Sequence, residues 1–174
     1  VQDIVGRSGC RALVLWPAFK GIDFACILNA VDPAALSSLT DIILFSPAGE
    51  HSAFQFADRR CTAYADLARH DEDCAQAADA QSRCVIFTTS GTTKAPKFVC
   101  HAQQGIVQHI RDVALGFGMT APGSRVLQAL PLCGVFGFTQ ALAALAAGAP
   151  MRMMAVFDEA SAAVVMQSEC ITHV

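Results

Sequence analysis

Charge is scarce in this 174-residue chain: 16% of its residues are Asp, Glu, Lys or Arg, against 53% hydrophobic, and the formal net charge is −3. No run of lysine and arginine occurs, which excludes a broad electrostatic grip on nucleic acid or on an anionic membrane surface. Long uninterrupted apolar segments are also missing. The longest, Val135 to Met151, is broken by Gln140, Gly148 and Pro150 and falls short of the roughly 20 residues of a membrane span. The start, Val1-Gln2-Asp3-Ile4, has no basic segment leading into an apolar core, so no signal peptide is visible. Eight cysteines are present (10, 26, 61, 74, 84, 100, 133 and 170), yet none form Cys-x-x-Cys or cluster with histidine at metal-ligand spacing. No metal site is expected. Most cysteines lie in apolar stretches such as Phe24-Ala25-Cys26-Ile27-Leu28, which predicts buried, reduced thiols and a cytoplasmic protein.

What is there is enough apolar bulk for one sizeable core, and the composition predicts one compact unit. Apolar segments at 12–16, 42–46, 84–89, 126–130, 151–156 and 171–174 read as strands. Segments 22–30, 103–117, 135–147 and 158–168 carry helical spacing, with Gly148 and Pro150 stopping the third and Asp158 capping the fourth. This alternation predicts an α/β fold with a mostly parallel sheet flanked by helices. Residues 59–83 are alanine-rich and acidic (Asp66, Asp71, Glu72, Asp73, Asp79) and read as an exposed helix and a polar connection.

After the strand at 84–89 comes Thr89-Ser90-Gly91-Thr92-Thr93-Lys94-Ala95-Pro96-Lys97. A turn there presents backbone N–H groups and hydroxyls with no carboxylate, near a glycine that allows close approach and ahead of a lysine. Such donors suit a chain of phosphates. It is not the common nucleotide loop: counting from Gly91, Pro96 occupies the second glycine position and Phe98 follows the lysine. The Gly-x-Gly-x-x-Gly dinucleotide fingerprint is absent as well. From composition alone, a Ser/Thr-rich surface turn with solvated lysines stands equally open.

The stretch from Thr89 to Val99 resembles the signature loop of the adenylate-forming (AMP-binding) superfamily, Thr-Ser-Gly-Thr-Thr-Gly-x-Pro-Lys-Gly-Val, which includes acyl-CoA synthetases, peptide-synthetase adenylation domains and firefly-type luciferases. Leu130-Pro131-Leu132-Cys133-Gly134-Val135-Phe136-Gly137-Phe138, then Gly148-Ala149-Pro150, Val156-Phe157-Asp158 and Ile171-Thr172-His173-Val174, is similar to the segment that follows in that family. The resemblance is generic before residue 84. It implies that residues 1–174 form part of a large N-terminal domain, with 1–83 a βαβ region and 84–174 carrying the phosphate loop and the acyl pocket.

By this resemblance Thr89, Ser90, Gly91, Thr92 and Thr93 donate to the β and γ phosphates of ATP and Lys97 supplies charge. Gly134, Val135, Phe136 and Gly137 border the acyl pocket. The implied reaction joins a carboxylic acid to ATP, with Mg²⁺, giving acyl-AMP and pyrophosphate, and then acyl-CoA from CoA. Within the superfamily the Leu-Pro-Leu turn and the alanine-rich helix look most like an acyl-CoA synthetase, which implies fatty acid metabolism. No nucleic-acid partner or transmembrane segment is expected.

The departures matter. Lys94 and Phe98 replace loop glycines; Lys94 adds a cation and narrows the backbone's options, while Phe98 is expected to pack in the following strand. Gly134 stands where the family has a histidine, widening the pocket or leaving that role empty. Cys133 has no neighbouring base, so it is read as structural, and His101 and His109 as surface or capping residues. Asp158 is read as a helix start. The family's adenine-binding segment, the C-terminal domain and its adenylation lysine have no counterpart here, so no catalytic residue is assigned. Together with the missing initial methionine this reads as a piece of a longer polypeptide, with apolar sheet edges that favour homo-oligomers. A competing expectation is a degenerate domain that binds a ligand or partner without turnover.

Overall fold

The computed structural model describes residues 1–46, 54–69, 78–89 and 95–174. Its contacts gather into two compact units, Val1–Ala75 and Gln76–Val174, rather than the one that composition predicts. The divide falls between residues 75 and 76, within the alanine-rich acidic segment.

In the first unit, α1 (Gln2–Ser8) is held by an Arg7–Asp3 pair at 2.9 Å one turn apart. Strand β1 (Ala12–Leu15) leads to α2 (Phe24–Asn29), whose start is fixed by the Asp23 carboxylate accepting the Cys26 N–H at 2.8 Å. Strands β2 (Asp41–Leu44) and β3 (Arg60–Ala63) complete a parallel sheet in the order β1-β2-β3. Register places Asp41 between Ala12 and Arg60, and the Arg60 guanidinium bonds the Asp41 carboxylate. The Thr40 hydroxyl, and then Arg60, hold that carboxyl below its usual range. Leu28, Leu36, Leu39, Ile42 and Phe56, each at most 2% exposed, form the core.

Strand β3 corrects the reading of 59–83 as helix and polar connection. Only the turn of α3 (Tyr64–Leu67) is helical among the described residues of that segment. Among the described strands β3 pairs only with β2, at the edge of the sheet, where little apolar content is needed.

In the second unit, β4 (Arg83–Thr89) and β5 (Lys97–Ala102) form an antiparallel hairpin with a bulge at Cys84. Helix α4 (Gln103–Gly116), β6 (Val126–Gln128), α5 (Val135–Ala147), β7 (Met151–Met153) and α6 (Glu159–Ser168) follow. Strands β6 and β7 are parallel, and His173 makes a single parallel bridge to Val126 in place of the strand predicted at 171–174. The sheet content is thus mostly parallel, with β4–β5 the antiparallel pair among the described strands. Helices α4 and α5 approach closely because Ala114, Ala143 and Ala144, each at most 2% exposed, face one another over Val126. Helix α5 stops at Gly148, whose φ of 66° only a residue free of Cβ strain adopts readily.

The cysteines depart from expectation. Cys26, Cys84, Cys100, Cys133 and Cys170 are exposed and Cys10 and Cys61 partly buried. An apolar stretch buries one face only: in α2, Leu28 is 1% exposed while Cys26, two positions back, turns outward. Among the described residues no group of His, Cys, Asp and Glu could hold a metal ion, and no helix is long and apolar enough to cross a membrane.

Candidate functional site

Strand β4 turns Phe87 inward, to Phe138 of α5. Phe87 is 8% exposed and meets Phe138 edge to face at 5.3 Å between centroids, and His101 of β5 at 5.9 Å. Two residues beyond Phe87 the strand ends at Thr89, directly opposite Lys97 in the hairpin register; Thr88 opposes Phe98. Directly opposed residues lie about 4.5–5.5 Å apart at Cα. The hairpin therefore presents a hydroxyl and an ammonium side by side where its two strands meet the connecting segment, both exposed. Pro96 precedes Lys97, and the segment between them and Thr89 contains Ser90, Gly91, Thr92, Thr93 and Lys94. Those five predicted loop residues lie outside the described residues.

Phe98 belongs to β5 and is partly buried, in keeping with a packing role. His101 lies on the same strand rather than in a helix, its ring against Phe87, while His109 is exposed on α4.

Phe138 begins the other half of the site. The chain leaves β6 and turns through Pro131, Leu132 and Cys133 to Gly134, which caps α5; the Gly134 N–H donates to the Pro131 carbonyl at 3.1 Å and the Phe138 N–H to the Gly134 carbonyl at 2.9 Å. The four predicted pocket residues divide. Val135 and Phe136 are 50% and 83% exposed. Gly137 is buried, and a Cβ there would sit 2.3 Å from the Pro131 carbonyl oxygen, so the turn can fold onto the helix only over a glycine. Gly134 is different: its φ of −94° suits any residue, and a Cβ would meet only the Pro131 carbonyl at an ordinary 3.6 Å. Neither packing nor backbone demands glycine at 134, so its effect is to leave space where a side chain would project. Cys133 is exposed on the same turn.

The structure thus brings Thr89, Lys97 and the turn 130–137 into one unit, linked through Phe87 and Phe138. It also contains a residue that sequence reasoning passed over: Gln128, 1% exposed, whose Nε2 donates to the carbonyls of Leu130 at 2.6 Å and Gly137 at 3.1 Å. The signal was a lone amide in the apolar run Val126-Leu127-Gln128-Ala129-Leu130. Asp158 is a helix start as expected, accepting from the Ser161 N–H at 3.2 Å and the Ser161 hydroxyl at 2.8 Å. Those bonds, the hydroxyl foremost, lower its carboxyl below the usual range. Cavities of about 340 and 180 Å³ flank Arg125 at the start of β6. They lie at the opposite end of that strand from the turn and contribute nothing to this constellation.

The family described as AMP-binding enzyme matches residues 1–174. No curated protein matches the sequence significantly. Among solved structures the fold is similar to a protein described as a long-chain-fatty-acid CoA ligase from Rhodopseudomonas palustris CGA009, with TM-score 0.74 and 19% identity over 98% of this chain and 39% of that one. It is also similar to O-succinylbenzoate Coenzyme A Synthetase (MenE) from Bacillus subtilis in complex with ATP and magnesium ion, with TM-score 0.64 and 16% identity over 98% and 41% of the two chains. A luciferase-like enzyme from the nonluminescent Zophobas morio mealworm gives TM-score 0.68 and 15% identity over 98% and 37%. At these identities the likeness concerns the fold, and the chain spans about two fifths of the length of each.

Proposed function

The chain belongs to the AMP-binding enzyme family, and from that premise we propose that it carries the phosphate-holding and acyl-side part of an ATP-dependent carboxylate-activating ligase. Residues 1–174 are then part of the large N-terminal domain, and the reaction joins a carboxylic acid to the α phosphate of ATP with release of pyrophosphate, followed by transfer to CoA.

The observation that carries this reading is the pairing of Thr89 with Lys97 across the hairpin, with the loop matching the family pattern between them. A hydroxyl and an ammonium at the mouth of a loop rich in N–H and hydroxyl donors suit the β and γ phosphates. Catalysis of this kind is positioning and neutralisation of developing charge, and needs no nucleophile from the protein. Thr89, and with it Ser90, Gly91, Thr92 and Thr93, would orient the phosphates; Lys97 would neutralise the charge that grows on the departing pyrophosphate. The donor set at the hairpin end, a hydroxyl and an ammonium, suits phosphate rather than a metal. Mg²⁺, when bound with the nucleotide, would supply further charge neutralisation. The contact of Phe87 with Phe138 supports an acyl side built by Gly134, Val135, Phe136 and Gly137 on the same body as the phosphate loop. The open space at Gly134 suits a bulkier carboxylate.

The test is carboxylate-dependent exchange of labelled pyrophosphate into ATP, measured with a panel of carboxylic acids on the polypeptide as it occurs naturally. Exchange that depends on an added carboxylate supports the reading. Its absence across the panel contradicts it and favours a domain that binds without turnover.

A further inference from the structure

Strand β6 ends in a glutamine whose surroundings are unlike those of the other buried residues. All three residues of the strand are buried, and Gln128 is 1% exposed. A buried amide costs roughly 1–3 kcal/mol for each polar group left unbonded, a cost that an apolar side chain of the same length avoids. Its Nε2 donates to the carbonyls of Leu130 and Gly137. Both partners are acceptors, so only the amino group of the amide can face them, and the orientation of the side chain follows from its chemistry. The Oε1 is buried and has no hydrogen-bond partner among the described residues.

The two carbonyls lie at opposite ends of one segment. Leu130 enters the turn, and Gly137 lies in the first turn of α5 as the chain leaves it. One side chain therefore bridges the entry and the exit of the stretch that presents Gly134, Val135 and Phe136. Val135 and Phe136 are exposed, so burial does not hold them; the backbone of the turn does.

We propose that Gln128 is a positioning residue for carboxylate selection: by tying Leu130 to Gly137 it sets how Val135 and Phe136 are offered to the acyl group. This rests on the function proposed above. It assigns Gln128 no contact with substrate, only control over the shape of the turn that makes the contact.

Gln128→Met keeps the length of the side chain and removes both donors, and Gln128→Glu puts carboxylate oxygens against two carbonyls. In hydrogen–deuterium exchange, the Gly134 and Phe138 amides should exchange roughly fivefold to tenfold faster in Gln128→Met, the loss expected for one or two hydrogen bonds. The amides of Met119 and Ala149, bonded to Ala114 and Ala144 elsewhere in the same unit, should keep their rates. Unchanged Gly134 and Phe138 rates, or equal acceleration at all four amides, would overturn the proposal. In kinetics, both variants should raise KM for the carboxylate about tenfold and reorder the preference among carboxylates of different size, with KM for ATP unchanged. Parallel changes in both KM values, or a fall in kcat alone, would overturn it. A wild-type protein that supports no exchange with any carboxylate contradicts the proposed function instead, and the amide rates then decide by themselves whether Gln128 holds the turn.

Discussion

Thr89 and Lys97 face each other as the last paired residues of the β4–β5 hairpin. Their pairing is backbone geometry, set by the register of two strands whose buried side rests on Phe87. Thr89 and Lys97 are therefore fixed by hydrogen-bonded strands on either side of the segment proposed to hold phosphate.

The edge-to-face contact of Phe87 with Phe138 joins this hairpin to α5, whose first turn is proposed to border the acyl group. A double-mutant cycle with Phe87→Ala and Phe138→Ala should give a coupling of about 0.5–1.5 kcal/mol in urea unfolding, the range for aromatic pairs beyond area burial. Simple additivity would mean that the two halves are not energetically linked through these rings.

The two glycines of the turn should respond differently to the same change. Gly137→Ala forces a Cβ to within 2.3 Å of the Pro131 carbonyl oxygen and should cost about 1–3 kcal/mol of stability. Gly134→Ala meets nothing closer than 3.6 Å and should stay within about 0.5 kcal/mol of wild type. Thermal unfolding of the two variants measures this; equal losses would contradict the geometry of the turn.

Cys170 follows α6 at φ 51°, a left-handed conformation that L residues other than Asn and Asp rarely take. Cys170→Gly should therefore raise stability by roughly 0.5–1 kcal/mol, as glycine does beyond a helix end. A drop in the unfolding midpoint would show that the thiol makes a compensating contact.

Asp158 gives a pH dependence with a definite sign. Its carboxyl is lowered below 3.8 in the folded chain by the Ser161 hydroxyl and N–H, so its stabilisation is fully present above that value and is lost as pH falls through the lowered one. The gap in unfolding temperature between wild type and Asp158→Ala should be constant from pH 7 to about 5 and narrow below pH 3.8. A gap that persists undiminished to pH 2 would contradict this cap.

How far the residues announced this structure depends on where the decisive interactions lie. Helix α5 was legible to its last residue, because its alanine run ends on Gly148 and Pro150, and α6 because Asp158 and Ser161 cap it locally. The family pattern at Thr89 to Val99 was legible as a motif, and the chain's membership of the AMP-binding enzyme family agrees with it. Strand β3 was not, because Arg60-Cys61-Thr62-Ala63 has no apolar pattern of its own and is a strand only by pairing with β2. Cysteine exposure failed for a related reason: apolar neighbours in sequence do not tell which face of an element is covered. Gln128 was missed because its partners, the carbonyls of Leu130 and Gly137, come together only once the turn has folded onto α5.

Lys97, held opposite Thr89, is proposed to neutralise phosphate charge in carboxylate activation. Lys97 is exposed, so Lys97→Ala should leave the unfolding midpoint within error of wild type. Carboxylate-dependent pyrophosphate–ATP exchange by wild type and by Lys97→Ala is the decisive comparison. Wild type should exchange and the variant should lose about 10²–10³-fold, the scale of removing one group that stabilises transition-state charge. Wild-type exchange that survives Lys97→Ala undiminished would contradict it.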